Sequence, residues 1–368
     1  MINIKNVFVI GGGTAGHALP ALQLSEELIK NNYKVIFITD TRMFKFVKTN
    51  ISNKNIKVLC IKGRGIYRGS ILKNIVSIYL IFYAFVQSLY YVNRFRPIIS
   101  YGFGGGITIP PIIVSKIFKS QIILHEGNAV LGRANKFLYK YANILTTFFP
   151  VIDNNNFYKY QCVGMPVRKE IENIHNNKYV IKNDKLINIL ITGGSLGAEI
   201  MATQIAKAIS SFPKKFKNKI SIMQQVRKEN YLYVEKLYTN SLNNFKLETY
   251  IENMPECLSW CHLVICRSGA GTIAENLISG KPAIMIPLPI SMDNHQMKNA
   301  LIIEKIGAGH VINETELNDQ KKLTHKLQSI IFNSEGLFMM SKLAKENATL
   351  GTSVKLVNLG TKTLDRKH

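Results

Sequence analysis

The sequence predicts an α/β protein of two domains, each built on a parallel sheet with right-handed crossovers. Three observations carry that expectation. Two glycine-rich turns, Gly11-Gly12-Gly13-Thr14-Ala15-Gly16-His17 and Gly193-Gly194-Ser195-Leu196-Gly197-Ala198, stand half a chain apart. Each follows a short apolar run of the kind that forms a buried strand, and each opens a helical pattern. The length of 368 residues gives each half enough chain for its own core. One such turn would suggest a single nucleotide site. Two suggest paired domains that hold a donor and an acceptor across a cleft, which points to a transferase.

In order, the strand Asn6–Ile10 leads into a helix over Ala18–Asn31, where Leu22, Leu24, Leu28 and Ile29 recur at helical spacing. A strand at Tyr33–Thr39, a helix near Arg42–Lys48 and a strand at Ile56–Ile61 follow. The strand Ile98–Tyr101 runs into Gly102-Phe103-Gly104-Gly105-Gly106, and a strand at Ser120–His125 precedes a helix near Arg133–Tyr141. The pattern pauses at Gly164-Met165-Pro166-Val167-Arg168, and a looser polar stretch runs from Glu170 to Lys185. The domain boundary is placed there. Residues 1–163, joined by a carboxy-terminal helix over 350–368, form the first domain, and residues 164–349 the second. Alternation restarts with strand Ile187–Thr192, helix Glu199–Ser211, strand Lys219–Met223, helix Tyr231–Tyr238 and strand Phe245–Glu248. Strand Leu263–Cys266, helix Thr272–Ser279, strand Ala283–Ile286 and helical patterns near Asn294–Ile306 and Ser341–Thr349 complete it.

The run Ile75–Val92 carries no charge and is flanked by Lys73, Arg94 and Arg96. It is long enough for a membrane span. Crossing a bilayer would part strands that share one sheet, so an interfacial helix is expected, with Tyr79, Tyr83, Tyr90 and Tyr91 at the water boundary. An ordinary core crossover helix is the alternative. The net charge of +24 favours an anionic membrane surface or phosphorylated substrates, although AT-rich coding bias also raises lysine. No arginine-rich tract, zinc finger or aromatic RNA-binding signature is present, which disfavours nucleic acid. The five cysteines (Cys60, Cys162, Cys257, Cys261 and Cys266) form no CxxC pair, and no metal site is expected. Met1–Ile10 lacks the features of a cleavable signal, so a cytoplasmic protein is expected.

Gly11, Gly13 and Gly16 satisfy G-x-G-x-x-G between a strand and a helix, with Asp40 placed to take a ribose hydroxyl, so a dinucleotide site is one reading. The physical content is more general: glycines let backbone approach an anion, and a helix start supplies N–H donors. His17 sits at that helix start, where the positive end of the helix favours a neutral imidazole able to accept a proton. The second turn repeats the anion-binding logic with Ser195. Cys266-Arg267-Ser268-Gly269-Ala270-Gly271-Thr272-Ile273-Ala274-Glu275 forms another strand–turn–helix, with Glu275 placed for ribose hydroxyls or simply solvated. Asp293-Asn294-His295-Gln296 offers polar groups for a sugar, or a helix cap. His125-Glu126-Gly127-Asn128 ends a strand at the carboxyl edge, where open α/β sheets place ligands, and Arg168 is placed to reach a phosphate.

GGGTAGH at 11–17, GFGG at 102–105, HEGN at 125–128, MPVR at 165–168, GGSLGA at 193–198, YIENM at 250–254, CRSGAGTIAE at 266–275 and NHQMKNA at 294–300 resemble, in order and spacing, the motifs of the bacterial MurG family. The resemblance covers nearly the whole chain. It implies the GT-B fold, two Rossmann-like domains with parallel sheets facing a central cleft. It implies transfer of N-acetylglucosamine from UDP-N-acetylglucosamine to the muramoyl 4-hydroxyl of lipid I (undecaprenyl-diphospho-muramoylpentapeptide). The product is lipid II for peptidoglycan, formed with inversion and with neither metal nor cofactor. A peripheral location on the cytoplasmic face of the inner membrane follows.

Carried over by residue, the resemblance gives Arg168 and Ser195 to the diphosphate and the Ile251 backbone to uracil. The turn Ala270, Gly271, Thr272, Ile273, Ala274 and Glu275 takes phosphate and ribose, with Glu275 on the ribose. Gln296 and Asn128 contact the sugar, while Thr14, Ala15 and Gly16 line the donor–acceptor junction. The first glycine turn and Gly102–Gly106 receive the lipid I diphosphate. His17 is the first candidate base, Glu126 the second, and His125 a tuning group. Two positions depart from the family: Ala15 replaces a glycine, which matters if that position needs a positive φ, and Gly106 replaces a tyrosine. A UDP-sugar epimerase, an NAD-dependent oxidoreductase and a non-catalytic sugar-nucleotide-binding membrane subunit are the rival functions.

Overall fold

The computed structural model describes residues 5–51, 53–62, 71–152, 158–181, 186–193 and 199–365. The chain divides into two compact units, one of Met1–Val167 with Gly351–His368, the other of Arg168–Leu350.

Unit 1 carries seven strands: β1 (Asn6–Ile10), β2 (Lys34–Asp40), β3 (Lys57–Ile61), β4 (Ile99–Gly102), β5 (Gln121–Glu126), β6 (Ile144–Thr147) and β7 (Gln161–Cys162). They lie in the order β3-β2-β1-β4-β5-β6-β7, every neighbouring pair parallel. Five helices connect them: α1 (Ala15–Lys30), α2 (Thr41–Asn50), α3 (Ile71–Phe95), α4 (Ile109–Ile117) and α5 (Arg133–Leu138). The central strands β1, β2, β4 and β5 are mainly apolar and buried because both faces are covered. Val7, Val9, Val35 and Phe37 point into one core, packed with Leu22, Leu24 and Leu28 of α1. Phe8, Ile10, Ile36 and Ile38 alternate with them and face the opposite core, with Ala84 and Val92 of α3 and Ile112 of α4.

Unit 2 repeats the scheme with β8 (Ile187–Thr192), β9 (Ile220–Gln225), β10 (Phe245–Glu248), β11 (Leu263–Cys266), β12 (Ala283–Met285) and β13 (Gly309–Val311), ordered β10-β9-β8-β11-β12-β13 and all parallel. Its helices are α6 (Lys169–Ile174), α7 (Glu199–Ser210), α8 (Lys214–Lys217), α9 (Lys228–Thr239) and α10 (Met254–Trp260). They continue as α11 (Ala270–Ser279), α12 (His295–Lys305), α13 (Gln320–Ile331) and α14 (Ser334–Glu346). The last helix, α15 (Thr352–Asp365), returns to unit 1, where the Tyr101 hydroxyl donates to the Leu356 carbonyl at 3.1 Å and the Thr352 hydroxyl to the Val163 carbonyl at 3.1 Å.

The strand order changes direction between β1 and β4 in unit 1 and between β8 and β11 in unit 2. Loops leaving the carboxyl ends of such neighbours diverge and leave a crevice for a ligand. The first glycine turn follows β1 at that position in unit 1, and Gly193 follows β8 in unit 2.

Several elements differ from the sequence expectation. The polar stretch after Arg168 contains α6, whose Ile171 and Ile174 are buried. Its six residues are too few to set up a readable helical period. The start of α4, Ile109-Pro110-Pro111, looks like a break, yet prolines in a first helical turn cost no hydrogen bond. The run Ile75–Val92 is part of α3, and among the described residues no helix is long and apolar enough to cross a membrane. Among the described side chains of this run, Ala84, Ser88 and Val92 are buried, whereas Ile78, Tyr79, Phe82, Tyr83, Val86, Leu89 and Tyr90 are exposed. Phe85 and Tyr91 are half-buried against the same core as Ala84 and Val92, so α3 packs one face on the sheet and leaves a second apolar face exposed.

Candidate functional site

Each unit carries one cluster at the carboxyl edge of its sheet. In unit 1, Ile10 of β1 and Gly102 of β4 are paired neighbours, so the two glycine loops leave the sheet side by side. Gly105 has a φ of 80°, and a Cβ there would stand 2.9 Å from the Gly12 carbonyl oxygen. Only glycine permits both that backbone and that approach. A Cβ on Gly104 would lie 3.3 Å from His17 Nε2, so the imidazole rests on the second loop.

His17 is half-buried in the first turn of α1. Its Nδ1 lies 3.0 Å from the Gly12 carbonyl oxygen and 3.3 Å from the Thr14 hydroxyl. A carbonyl only accepts, so Nδ1 carries the hydrogen and Nε2 presents a lone pair. Thr14 and Gly16 are exposed and Ala15 is half-buried. Thr14 makes no side-chain cap and no acidic residue occupies the first turn, which leaves the N–H groups of α1 open to an anion. Ala15 is not among the residues with positive φ, so its methyl group imposes no strain. Gly106 is exposed, and a Cβ there would meet nothing within 4 Å.

Glu126 and His125 end β5 and diverge. Glu126 Oε1 accepts the Asn128 backbone N–H at 3.0 Å and the Asn128 side-chain amide at 3.1 Å. Its Oε2 accepts the Gly132 N–H at 2.8 Å and the Asn135 amide at 2.9 Å. This carboxylate spends four hydrogen bonds on folding the loop that carries Asn128. His125 points into the core, with Nδ1 3.1 Å from the Thr146 hydroxyl, Nε2 3.4 Å from Met165 Sδ and its ring against Phe103. Burial holds its pKa down to about 3, so it stays neutral. Asp40 caps α2 through the Met43 N–H and pairs with the Arg42 guanidinium. A carboxylate so engaged is not the ribose ligand of a dinucleotide site.

In unit 2, residues 194–198 of the second glycine turn, Ser195 among them, lie outside the described residues. The neighbouring turn after β11 is described. Gly269 precedes α11 without a side-chain cap, and no acidic residue lies in the first turn formed by Ala270, Gly271, Thr272 and Ile273. Beyond Ala274, Glu275 accepts from Arg168 Nη2 at 3.2 Å. Burial pushes the Glu275 carboxyl up, and the Arg168 charge opposes that shift. Ile251 is buried in the loop after β10. Gln296 opens α12, and its Oε1 accepts the Leu288 N–H at 3.0 Å.

Sequence reasoning missed two groups here. Asn135 joins the Glu126 carboxylate to the His125 carbonyl. Arg267 is buried and donates from Nη1 to the carbonyls of Ile286 at 3.0 Å and Pro287 at 3.2 Å, and from Nη2 to Glu314. An arginine directly after a buried strand was the available signal. Asp293 and Asn294 take φ values of 52° and 54°, and Asn294, at the N-cap of α12, makes no side-chain cap.

Two parallel-sheet domains, each with an uncapped helix start at the carboxyl edge of its sheet, are the architecture of a glycosyltransferase of the GT-B fold. The comparisons agree. Residues 7–146 match the glycosyltransferase family 28 N-terminal domain and residues 188–353 the glycosyltransferase family 28 C-terminal domain. A relative from Rhodospirillum rubrum, named UDP-N-acetylglucosamine--N-acetylmuramyl-(pentapeptide) pyrophosphoryl-undecaprenol N-acetylglucosamine transferase, is 30% identical over 98% of this chain and 93% of its own. A relative of the same name from Wolbachia of Drosophila simulans is 33% identical over 95% of each chain. The crystal structure of Acinetobacter baumannii MurG superposes with a TM-score of 0.78 at 25% identity, covering 97% of this chain and 99% of that one. The chain belongs to the MurG family of N-acetylglucosaminyltransferases.

Proposed function

We infer that the protein transfers N-acetylglucosamine from UDP-N-acetylglucosamine to lipid I, forming lipid II for peptidoglycan synthesis. The carrying observation is the match to relatives of that name over almost the full length of both chains. Unit 2 holds the donor. The open start of α11, Ser195 and Arg168 stabilise the departing diphosphate, Glu275 binds the ribose, Ile251 the uracil, and Gln296 and Asn128 the sugar. Unit 1 holds the lipid I diphosphate on the two glycine loops, with Thr14, Ala15 and Gly16 at the junction.

The acceptor is the muramoyl 4-hydroxyl. Its proton passes to His17 Nε2 as its oxygen bonds to the anomeric carbon, and the bond to UDP breaks with inversion. The Gly12 carbonyl supports this role by fixing the tautomer. Glu126 acts by folding its loop, and His125 by packing beneath it. Arg168 and Glu275, paired here, turn to the diphosphate and the ribose as the donor binds.

The exposed apolar face of α3 docks on an anionic membrane at its cytoplasmic surface, with Lys73, Arg94 and Arg96 at its ends and the net charge adding attraction. Incubation with labelled UDP-N-acetylglucosamine and a short-chain lipid I analogue tests the reaction. Sugar transfer with UDP release is expected, and the absence of both sinks it.

A further inference from the structure

The segment from Ile286 to Gln296 is tied at both ends to two consecutive residues. Arg267, 8% exposed, forks to the Ile286 and Pro287 carbonyls at one end and pairs with Glu314 through its other nitrogen. Ser268 donates its hydroxyl to the Gln296 carbonyl at 2.8 Å, at the other end. The Asn299 amide donates to the Ser268 carbonyl at 3.2 Å, and the Leu288 N–H reaches back to Gln296 Oε1. Between these ties stand Asp293 and Asn294, both left-handed. Such backbone persists only where its surroundings over-determine it. Arg267 and Ser268 also open the turn into α11. One dipeptide thus joins the nucleotide-binding helix to the segment that delivers Gln296.

We propose that Arg267 is a positioning residue for donor selectivity: its fork, anchored by Glu314, holds the Ile286–Gln296 segment so that Gln296 meets the N-acetylhexosamine. The proposal rests on the reading of unit 2 as the donor domain. A buried guanidinium suits the task because its planar donors reach two carbonyls and a carboxylate at fixed angles, which a lysine ammonium cannot reproduce.

The test is calorimetric binding of UDP and of UDP-N-acetylglucosamine to the full chain and to Arg267→Lys and Glu314→Gln. A displaced Gln296 weakens UDP-N-acetylglucosamine about tenfold in Arg267→Lys, and less in Glu314→Gln. UDP, which lacks the sugar, changes by less than about twofold. Parallel weakening of both ligands assigns Arg267 a purely structural role and overturns the proposal, as does no change in either. Thermal melting checks folding, and Glu314→Gln carries the test if Arg267→Lys does not fold. Wild-type protein that binds neither ligand defeats the donor-domain reading itself, an outcome separate from any effect of the variants.

Discussion

The two units share one strand order, yet they build their edge clusters from different material. Unit 1 uses backbone: glycines at φ 90° and 80°, the Gly12 carbonyl and an uncapped helix start surround a single imidazole. Unit 2 uses charged side chains: Arg168 on Glu275 and Arg267 on Glu314. Backbone cannot relax far, so the first cluster is preorganised around one group. The Arg168–Glu275 pair can exchange partners, so this part of the second cluster is suited to opening for a charged ligand and closing again, while Arg267 on Glu314 stays fixed. One topology therefore carries a rigid cluster in unit 1 and an adjustable ion pair in unit 2, which the proposed function uses for the proton and for the nucleotide respectively.

The largest expected effect breaks the rigid cluster. His17→Ala removes the only imidazole in the unit 1 cluster that is not core-buried, and kcat with a lipid I analogue is expected to fall about 10²–10⁴-fold. UDP binding should not change, because no unit 2 contact is touched. Steady-state kinetics alongside a UDP titration reads both, and a retained kcat would remove His17 as the base.

A smaller effect probes the adjustable pair. Glu275→Gln keeps the side-chain shape but loses a charge-assisted hydrogen bond, worth about 1.5–3 kcal/mol. UDP affinity should fall roughly tenfold to a hundredfold. If the Kd is unmoved, the carboxylate serves only Arg168, and the contrast between the units weakens.

How much of this was legible follows from the same difference. The strands β1, β8 and β11 stand where their apolar runs place them, because a buried parallel strand writes its burial directly into sequence. The first glycine loop was equally visible, since glycine marks backbone that other residues cannot adopt, although α1 begins at Ala15 rather than the expected Ala18. The partners of charged groups were not visible. Arg267 and Glu314 are 47 residues apart in the chain, and nothing local links them. Glu126 looked like a possible base because a carboxylate beside a histidine suggests chemistry. Only the fold reveals that its four acceptor contacts organise a loop. His125 looked functional for the same reason, yet strand alternation turns it inward.

The subtlest prediction sets the two units against each other in acid. Buried His125 has a folded pKa of about 3 against an ordinary value of 6.5, so between those values the unfolded chain takes up a proton that folded unit 1 refuses. Stability of unit 1 is therefore lost as pH falls, by about 2 kcal/mol between pH 7 and pH 5 from this group. Glu275 has the opposite sign. Its folded pKa is raised, so folded unit 2 holds a proton that the unfolded chain releases, and this contribution is lost as pH rises through the folded value. The single tryptophan, Trp260, lies in unit 2 and reports it alone, whereas far-ultraviolet circular dichroism reports both units. Burial also lowers the pKa of half-buried His262 in unit 2, so in urea titrations both transitions shift to lower urea between pH 7 and pH 5. The ellipticity transition should shift more than the Trp260 fluorescence transition, because His125 is fully buried. His125→Asn should shrink that gap by about 2 kcal/mol, because the unfolded chain then has no proton to gain at this position. An unchanged gap would place the acid sensitivity elsewhere in unit 1.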